Sequence, residues 1–192
     1  MSNIEICNEE AVEMAIDISG AKRKAKELYE TVHNVNQAMI SGNVATDLDQ
    51  IIKNLNLKVF EIDMDELRKK NENIGIDETT SGFLTKVDDQ YMIYLNKNHS
   101  MNRKRFTIAH EIGHLKLNHL EDIVYRDSTT SLGTNENEVK ANAFAAELLM
   151  PEELVRYAYN LLKSVSKTAR VFGVSEVAAY NRLINLEVID NE

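Results

Sequence analysis

The chain has no tryptophan, one proline, one cysteine and few aromatic residues of any kind, 6% in all. Each scarcity removes a class of answer. The single cysteine, Cys7, cannot close an intrachain disulfide, so packing must hold the fold and a reducing, cytoplasmic compartment is expected. With no tryptophan, aliphatic side chains must fill most of the core. The only proline, Pro151, leaves helices elsewhere uninterrupted. No stretch reaches the roughly 18 to 20 apolar residues of a membrane span. The segment from Met1 to Met14 is acidic, where an export signal needs a basic start and an apolar run. Positive charge is scarce too: 22 basic against 31 acidic residues gives a net charge of −9. Broad phosphate binding needs basic surface that can release counterions, so neither nucleic acid nor a membrane is expected as a direct partner.

What remains is ordinary globular material: 192 residues, 43% hydrophobic and 28% charged, enough for one core with a small appendage. Helix formers run from 9 to 36, with Gly20 as the expected bend. Thr46 is placed to cap a helix through Ile51, Ile52 and Leu55. Leu57 to Ile62 alternates like a half-buried strand, and Asp63 to Lys70 reads as a short helix. Runs at 82–87 and 90–95 flank Asp88-Asp89 in the manner of a β-hairpin. Helices are expected over 104–119 and 138–150, the second stopped by Pro151, and again over most of 152–192. The fold class is α+β, mainly helical, with a small sheet or hairpin beside the helix at 104–119. The natural divisions are an N-terminal helical segment (1–45), a core (46–151) and a C-terminal helical segment (152–192).

The chemistry lies in that helix, whose sequence includes His110-Glu111-Ile112-Gly113-His114. Residues four apart on a helix project the same way, so two imidazoles can reach one metal ion. Glu111 sits about 100° further around. There it can act as a general base on a water activated by the metal, and zinc lowers the pKa of such a water to about 7. His110 and His114 are therefore candidate ligands of one zinc per chain, and Glu111 the candidate catalytic base. Zinc in such sites takes three protein ligands. The HExxHxxGxxH arrangement is excluded, because Leu117 and Leu120 stand where it needs glycine and histidine. His119 falls one residue early and is expected to point elsewhere, as a partly buried or capping histidine. A glutamate from the next helix is the alternative source, with Glu136, Glu138 and Glu147 available. Glu138 and Glu147 lie nearly opposite each other around that helix. Glu138 is the choice, because Asn142 follows one turn later on the same face, placed to hydrogen-bond a ligand.

The two segments Arg105-Phe-Thr-Ile-Ala-His-Glu-Ile-Gly-His114 and Glu138-Val-Lys-Ala-Asn-Ala-Phe-Ala-Ala-Glu-Leu-Leu-Met-Pro151 together resemble the ImmA/IrrE family of bacterial and phage metallopeptidases. The family pattern is close to RFTxAHExGH followed by ExEANxFAxxLLMP, and the likeness runs from about Leu48 to Pro151. Lys140 departs from it, where the family often has a second glutamate. The resemblance implies a site with Glu138 as third ligand. It implies a protein substrate as well: a helix-turn-helix repressor of a mobile element or stress regulon, or an antitoxin-like regulator.

In sites of this kind an edge strand near the metal holds the substrate chain extended. The strand Tyr91-Met92-Ile93-Tyr94-Leu95 is the candidate. Tyr125, Tyr157 and Tyr159 are conceivable oxyanion donors that spacing does not rank. Ser166 to Leu186 has helix-turn-helix spacing around Gly173 and Ser175. Without a basic surface it is expected to pack on the core or to touch the repressor, not to read DNA. Two alternatives to a repressor-cleaving peptidase are a zinc-containing regulatory binding protein with little or no turnover, and a metalloprotease toxin of a toxin–antitoxin pair. Glu111 favours hydrolysis, since a metal kept only for folding needs no base beside it.

Overall fold

A computed structural model describes residues 16–70, 79–119 and 136–190. Cys7, Leu120, Tyr125 and the first residues of the expected N-terminal helix lie outside those ranges. The helical run near the start forms two helices, α1 (Ser19–Glu30) and α2 (Val35–Ser41). The interruption falls after Glu30, not at Gly20. Gly20 occupies the first turn of α1, where a missing Cβ costs little. Asn34 starts α2 afresh, its Oδ1 accepting the Gln37 amide at 3.0 Å. The next helix, α3 (Leu48–Asn54), is capped by Asp47, which accepts the Gln50 amide at 2.9 Å. Thr46, the expected cap, is instead buried and donates its hydroxyl to the Leu148 carbonyl at 2.7 Å.

Strand β1 (Lys58–Ile62) leads through α4 (Met64–Lys70) to a hairpin of β2 (Gly82–Val87) and β3 (Gln90–Asn96). Asp88 and Asp89 both adopt left-handed backbone, φ 48° and 64°, the pair of conformations a two-residue hairpin turn needs. Aspartate tolerates that region better than most residues, which is why the turn forms without glycine. The sheet order is β1-β3-β2, with β1 parallel and β2 antiparallel to β3. Leu84, Ile93 and Leu95 are buried on one face. On the other, Phe60, Tyr94 and Phe83 stack at 5.4 and 5.1 Å between ring centroids.

Helices α5 (Met101–Leu117) and α6 (Glu136–Leu149) form the centre of the molecule. The chain then turns at Pro151 into α7 (Glu152–Leu162), α8 (Val165–Phe172) and α9 (Glu176–Asn185). One hydrophobic cluster extends from Ala21 to Leu186, with Tyr29, Phe144, Phe172 and Leu183 among its buried side chains. Two arginines fasten the C-terminal helices to it. Arg105 on α5 donates to the Gly173 carbonyl at 3.2 Å and to the Thr46 carbonyl at 3.0 Å. Arg182 on α9 is buried, pairs with Glu147 on α6, and donates to the Met150 carbonyl at 3.1 Å. No helix among the described residues is long and apolar enough to cross a membrane.

Two stability measurements check this packing. Thr46→Val leaves the buried Leu148 carbonyl without its donor and should cost about 1–3 kcal/mol in urea unfolding; an unchanged midpoint would contradict the bond. His33 Nε2 accepts the Asp47 amide at 3.0 Å and the ring stacks on Tyr29 at 4.8 Å. Burial holds its pKa below the ordinary value of 6.5 despite nearby Asp47. With the folded pKa depressed, the unfolded chain binds the proton more readily. This contribution to stability is present above pH 6.5 and declines as pH falls below it. Between pH 7 and 5 the unfolding midpoint should fall less in His33→Gln than in the parent.

Candidate metal centre

Ser100 opens α5 by accepting the Arg103 amide, and Asn118 closes it in left-handed backbone at φ 63°. Gly82 is the close approach of the sheet to this helix. A Cβ there would lie 2.5 Å from the Tyr94 carbonyl oxygen and 2.6 Å from Thr107 Cγ2. Thr107 is one turn before Glu111, so the start of β2 is held against the part of α5 that carries the motif. Across the other side of α5, Gly113 allows α6 to pack closely: a Cβ would meet the Ala141 carbonyl oxygen and Phe144 Cδ1 at 3.2 Å. His110 faces Asn142 and His114 faces Glu138, so the two helices run antiparallel.

Three side chains converge from these helices. His110 Nε2 and His114 Nε2 are 3.0 Å apart, and the Glu138 carboxylate lies 3.1 Å from the first and 3.2 Å from the second. Donors at about 2.0–2.1 Å from a tetrahedral ion are roughly 3.3 Å from one another, so the spacing suits a single divalent cation. The outer contacts suit it as well. Asn142 Oδ1 can only accept, so at 3.0 Å it places the hydrogen of His110 on Nδ1 and leaves Nε2 as a ligand atom. His114 Nδ1 lies 3.3 Å from His119 Nδ1. Donation from His114 to His119 leaves the second Nε2 in the same state. Two imidazole lone pairs and a carboxylate then face one point, an arrangement that a cation relieves.

Glu111 is 1% exposed and lines the same groove as His110 and Glu138. The remaining glutamates sit elsewhere. Glu136 pairs with Lys140, the residue that departs from the family pattern. Glu147 is buried against Arg182 and accepts the Glu152 amide at 3.2 Å.

Two expectations need correction. His119 is partly buried as expected, but it does not point away from the centre. The left-handed Asn118 turns the chain, the His119 amide donates to the His114 carbonyl at 2.9 Å, and the ring comes back against His114. Extending the helix through 119 hid this; Asn118, a residue type suited to a left-handed helix end, was the available signal. The strand Tyr91–Leu95 is likewise no edge. It is central, hydrogen-bonded to β1 on one side and β2 on the other. The edge beside the site is β2, whose Gly82, Phe83 and Thr85 line the groove with His110 and Glu111. Tyr157 and Tyr159 lie on α7, and neither lines it.

Metal titration checks the assignment. The parent should bind about one divalent ion per chain, measured with zinc by mass spectrometry of the desalted protein. His114→Ala or Glu138→Ala should reduce that to background. Asn142→Ala should retain the ion but weaken its affinity roughly 10–100-fold. Full occupancy in Glu138→Ala would remove that residue from the ligand set.

Residues 53–184 match the IrrE N-terminal-like domain, a peptidase family. Over 88 residues the chain is 30% identical to an uncharacterized immunity region protein of Bacillus phage phi105, covering 46% of this chain and 56% of that protein. Over 95 residues it is 28% identical to the metallopeptidase ImmA of Bacillus subtilis, covering 50% and 51% respectively. The chain thus spans only about half the length of these relatives. A Mycobacterium tuberculosis transcriptional regulator shares the fold, with a TM-score of 0.51 and 17% identity over 87% of this chain and 46% of that one. Since the family match takes in both helices of the centre and most of the sequence, the chain belongs to the IrrE N-terminal-like domain family.

Proposed function

We propose that the protein is a zinc-dependent endopeptidase of the cytoplasm, cleaving a protein substrate at the centre formed by His110, His114, Glu138 and Glu111. The observation that carries this reading is the convergence of two imidazole nitrogens and a carboxylate within 3.0–3.2 Å, with buried Glu111 on the same groove. Zinc, when bound, supplies Lewis-acid polarisation of the scissile carbonyl and acidifies water to near neutrality. Glu111 takes the proton on its carboxylate and returns it to the leaving amine. Asn142 and His119 hold the two imidazoles in orientation. The outer edge of β2 receives the substrate backbone in extended form, which places the scissile bond beside Glu111. Residues 46–151 constitute the catalytic core, with the described helices α1 and α2 before it and α7, α8 and α9 after it packed on it.

The substrate is a helix-turn-helix repressor of a mobile element or stress regulon. Support for that comes from the family resemblance and from the two relatives, one named as a metallopeptidase and the other for a phage immunity region. A binding protein without turnover gains nothing from burying a carboxylate beside its ligands, since burial of a charge is costly.

Glu111→Gln separates the two. It should keep its zinc and lose cleavage of the repressor encoded beside its gene by about 10²- to 10⁴-fold, followed by gel and mass spectrometry. Cleavage at the parental rate would sink the mechanism.

A further inference from the structure

The groove does not end at the metal centre. Its floor follows one face of α6, from Glu138 and Asn142 through Ala143 and Ala146 to Met150. At that far end it meets α9, which presents Val177, Ala178, Asn181 and Asn185 to the same space. Spacings of one, four and eight residues put these four on one helical face. Val177 is 70% exposed, among the most exposed large apolar side chains of the described residues. The face carries no mobile charge. The one charged residue of α9 on the groove, Arg182, is buried and committed to Glu147 and the Met150 carbonyl.

α9 is also fixed relative to the centre. Arg182 ties it to α6, which carries Glu138. Arg105 ties the turn before it to α5, which carries His110 and His114. A helix anchored to both ligand-bearing helices can measure distance from the site of cleavage.

Resting on the peptidase reading above, we propose that α9 is a specificity wall for the substrate chain, engaging a residue about five positions from the scissile bond. Met150 lies twelve residues beyond Glu138, about 18 Å along α6 at 1.5 Å per residue. An extended chain advances about 3.3 Å per residue, so between five and six residues cover that distance. The substrate residue arriving there is apolar, because it meets Val177 and Ala178 with no charge to pair. Asn181 and Asn185 offer donors and acceptors in the geometry of a peptide group, suited to the substrate backbone on either side of it. The small side chains of Ala143 and Ala146 keep the intervening floor open for a chain to lie along. The occupant is therefore an extended segment of the same substrate, apolar where it reaches α9 and continuous with the part held at the metal.

Metal-anchored probes test this without knowing the natural substrate. Peptide hydroxamates of three and six residues, each ending in leucine far from the hydroxamate, are titrated into the zinc-loaded protein. One series carries the hydroxamate at the C-terminus and the other at the N-terminus, since the groove lies on one side of the scissile bond. In one series the six-residue probe should bind about tenfold tighter than the three-residue probe. Val177→Asp and Asn181→Ala should each reduce that gain while leaving the affinity of the three-residue probe unchanged. Equal affinity at both lengths in both series, or a gain that survives in both variants, overturns the proposal. If the three-residue hydroxamates also fail to bind, the metal-centre reading itself falls and takes this inference with it.

Discussion

Everything at this centre depends on how closely α5 and α6 can approach at Gly113 and Ala141. Any larger residue at 113 would press a Cβ to 3.2 Å from the Ala141 carbonyl and from Phe144. Those neighbours are completely buried and have little room to move. With the helices held at this distance and antiparallel, Glu138 comes beside His114 and Asn142 beside His110. The three side chains that could hold one ion are drawn from both helices and come together where the two pack closely. Gly82 performs the corresponding service on the opposite flank, bringing β2 to Thr107, one turn from Glu111.

The distribution of cations follows a related logic. The chain has a marked excess of negative charge, yet one arginine is buried and another is half-buried, each committed to the packing of helices. Arg105 joins α5 to Gly173, and Arg182 joins α9 to α6. Partial burial lowers the Arg105 pKa from its ordinary value, against the nearby carboxylates Asp49 and Asp47. Both arginines are structural. In the C-terminal pair with helix-turn-helix spacing, Arg182 on α9 is committed to a buried carboxylate. A buried pair of this kind is strongly destabilising to break, since either partner alone would be an uncompensated charge. The helices it fastens extend the wall of the groove that begins at the metal centre.

The legible parts of this structure were those set by short-range geometry. Two histidines four apart on a helix, a glutamate one residue after the first, and an asparagine one turn beyond Glu138 can be read because helix periodicity relates them. The Asp88-Asp89 turn could be read for the same reason: two residues between alternating runs leave few other conformations. What escaped required tertiary knowledge. Nothing in the hairpin pattern shows that β1 returns parallel to β3, which moves Tyr91–Leu95 from edge to centre and gives the edge to β2. Thr46 has the chemistry of a cap, but Leu148, far along the chain, offers its hydroxyl a buried partner and Asp47 takes the cap. His119 was hidden by a local event, a single left-handed residue that reverses the direction of its side chain.

One divalent ion should be held by two imidazoles and a carboxylate from two closely packed helices. X-ray absorption at the zinc K edge, on the protein loaded with one equivalent of zinc, reads that coordination shell itself. The spectrum should show a first shell of nitrogen and oxygen at about 2.0–2.1 Å, with the outer-shell scattering of two imidazole rings and no sulfur. A sulfur shell, or the signature of fewer than two imidazoles, would contradict it.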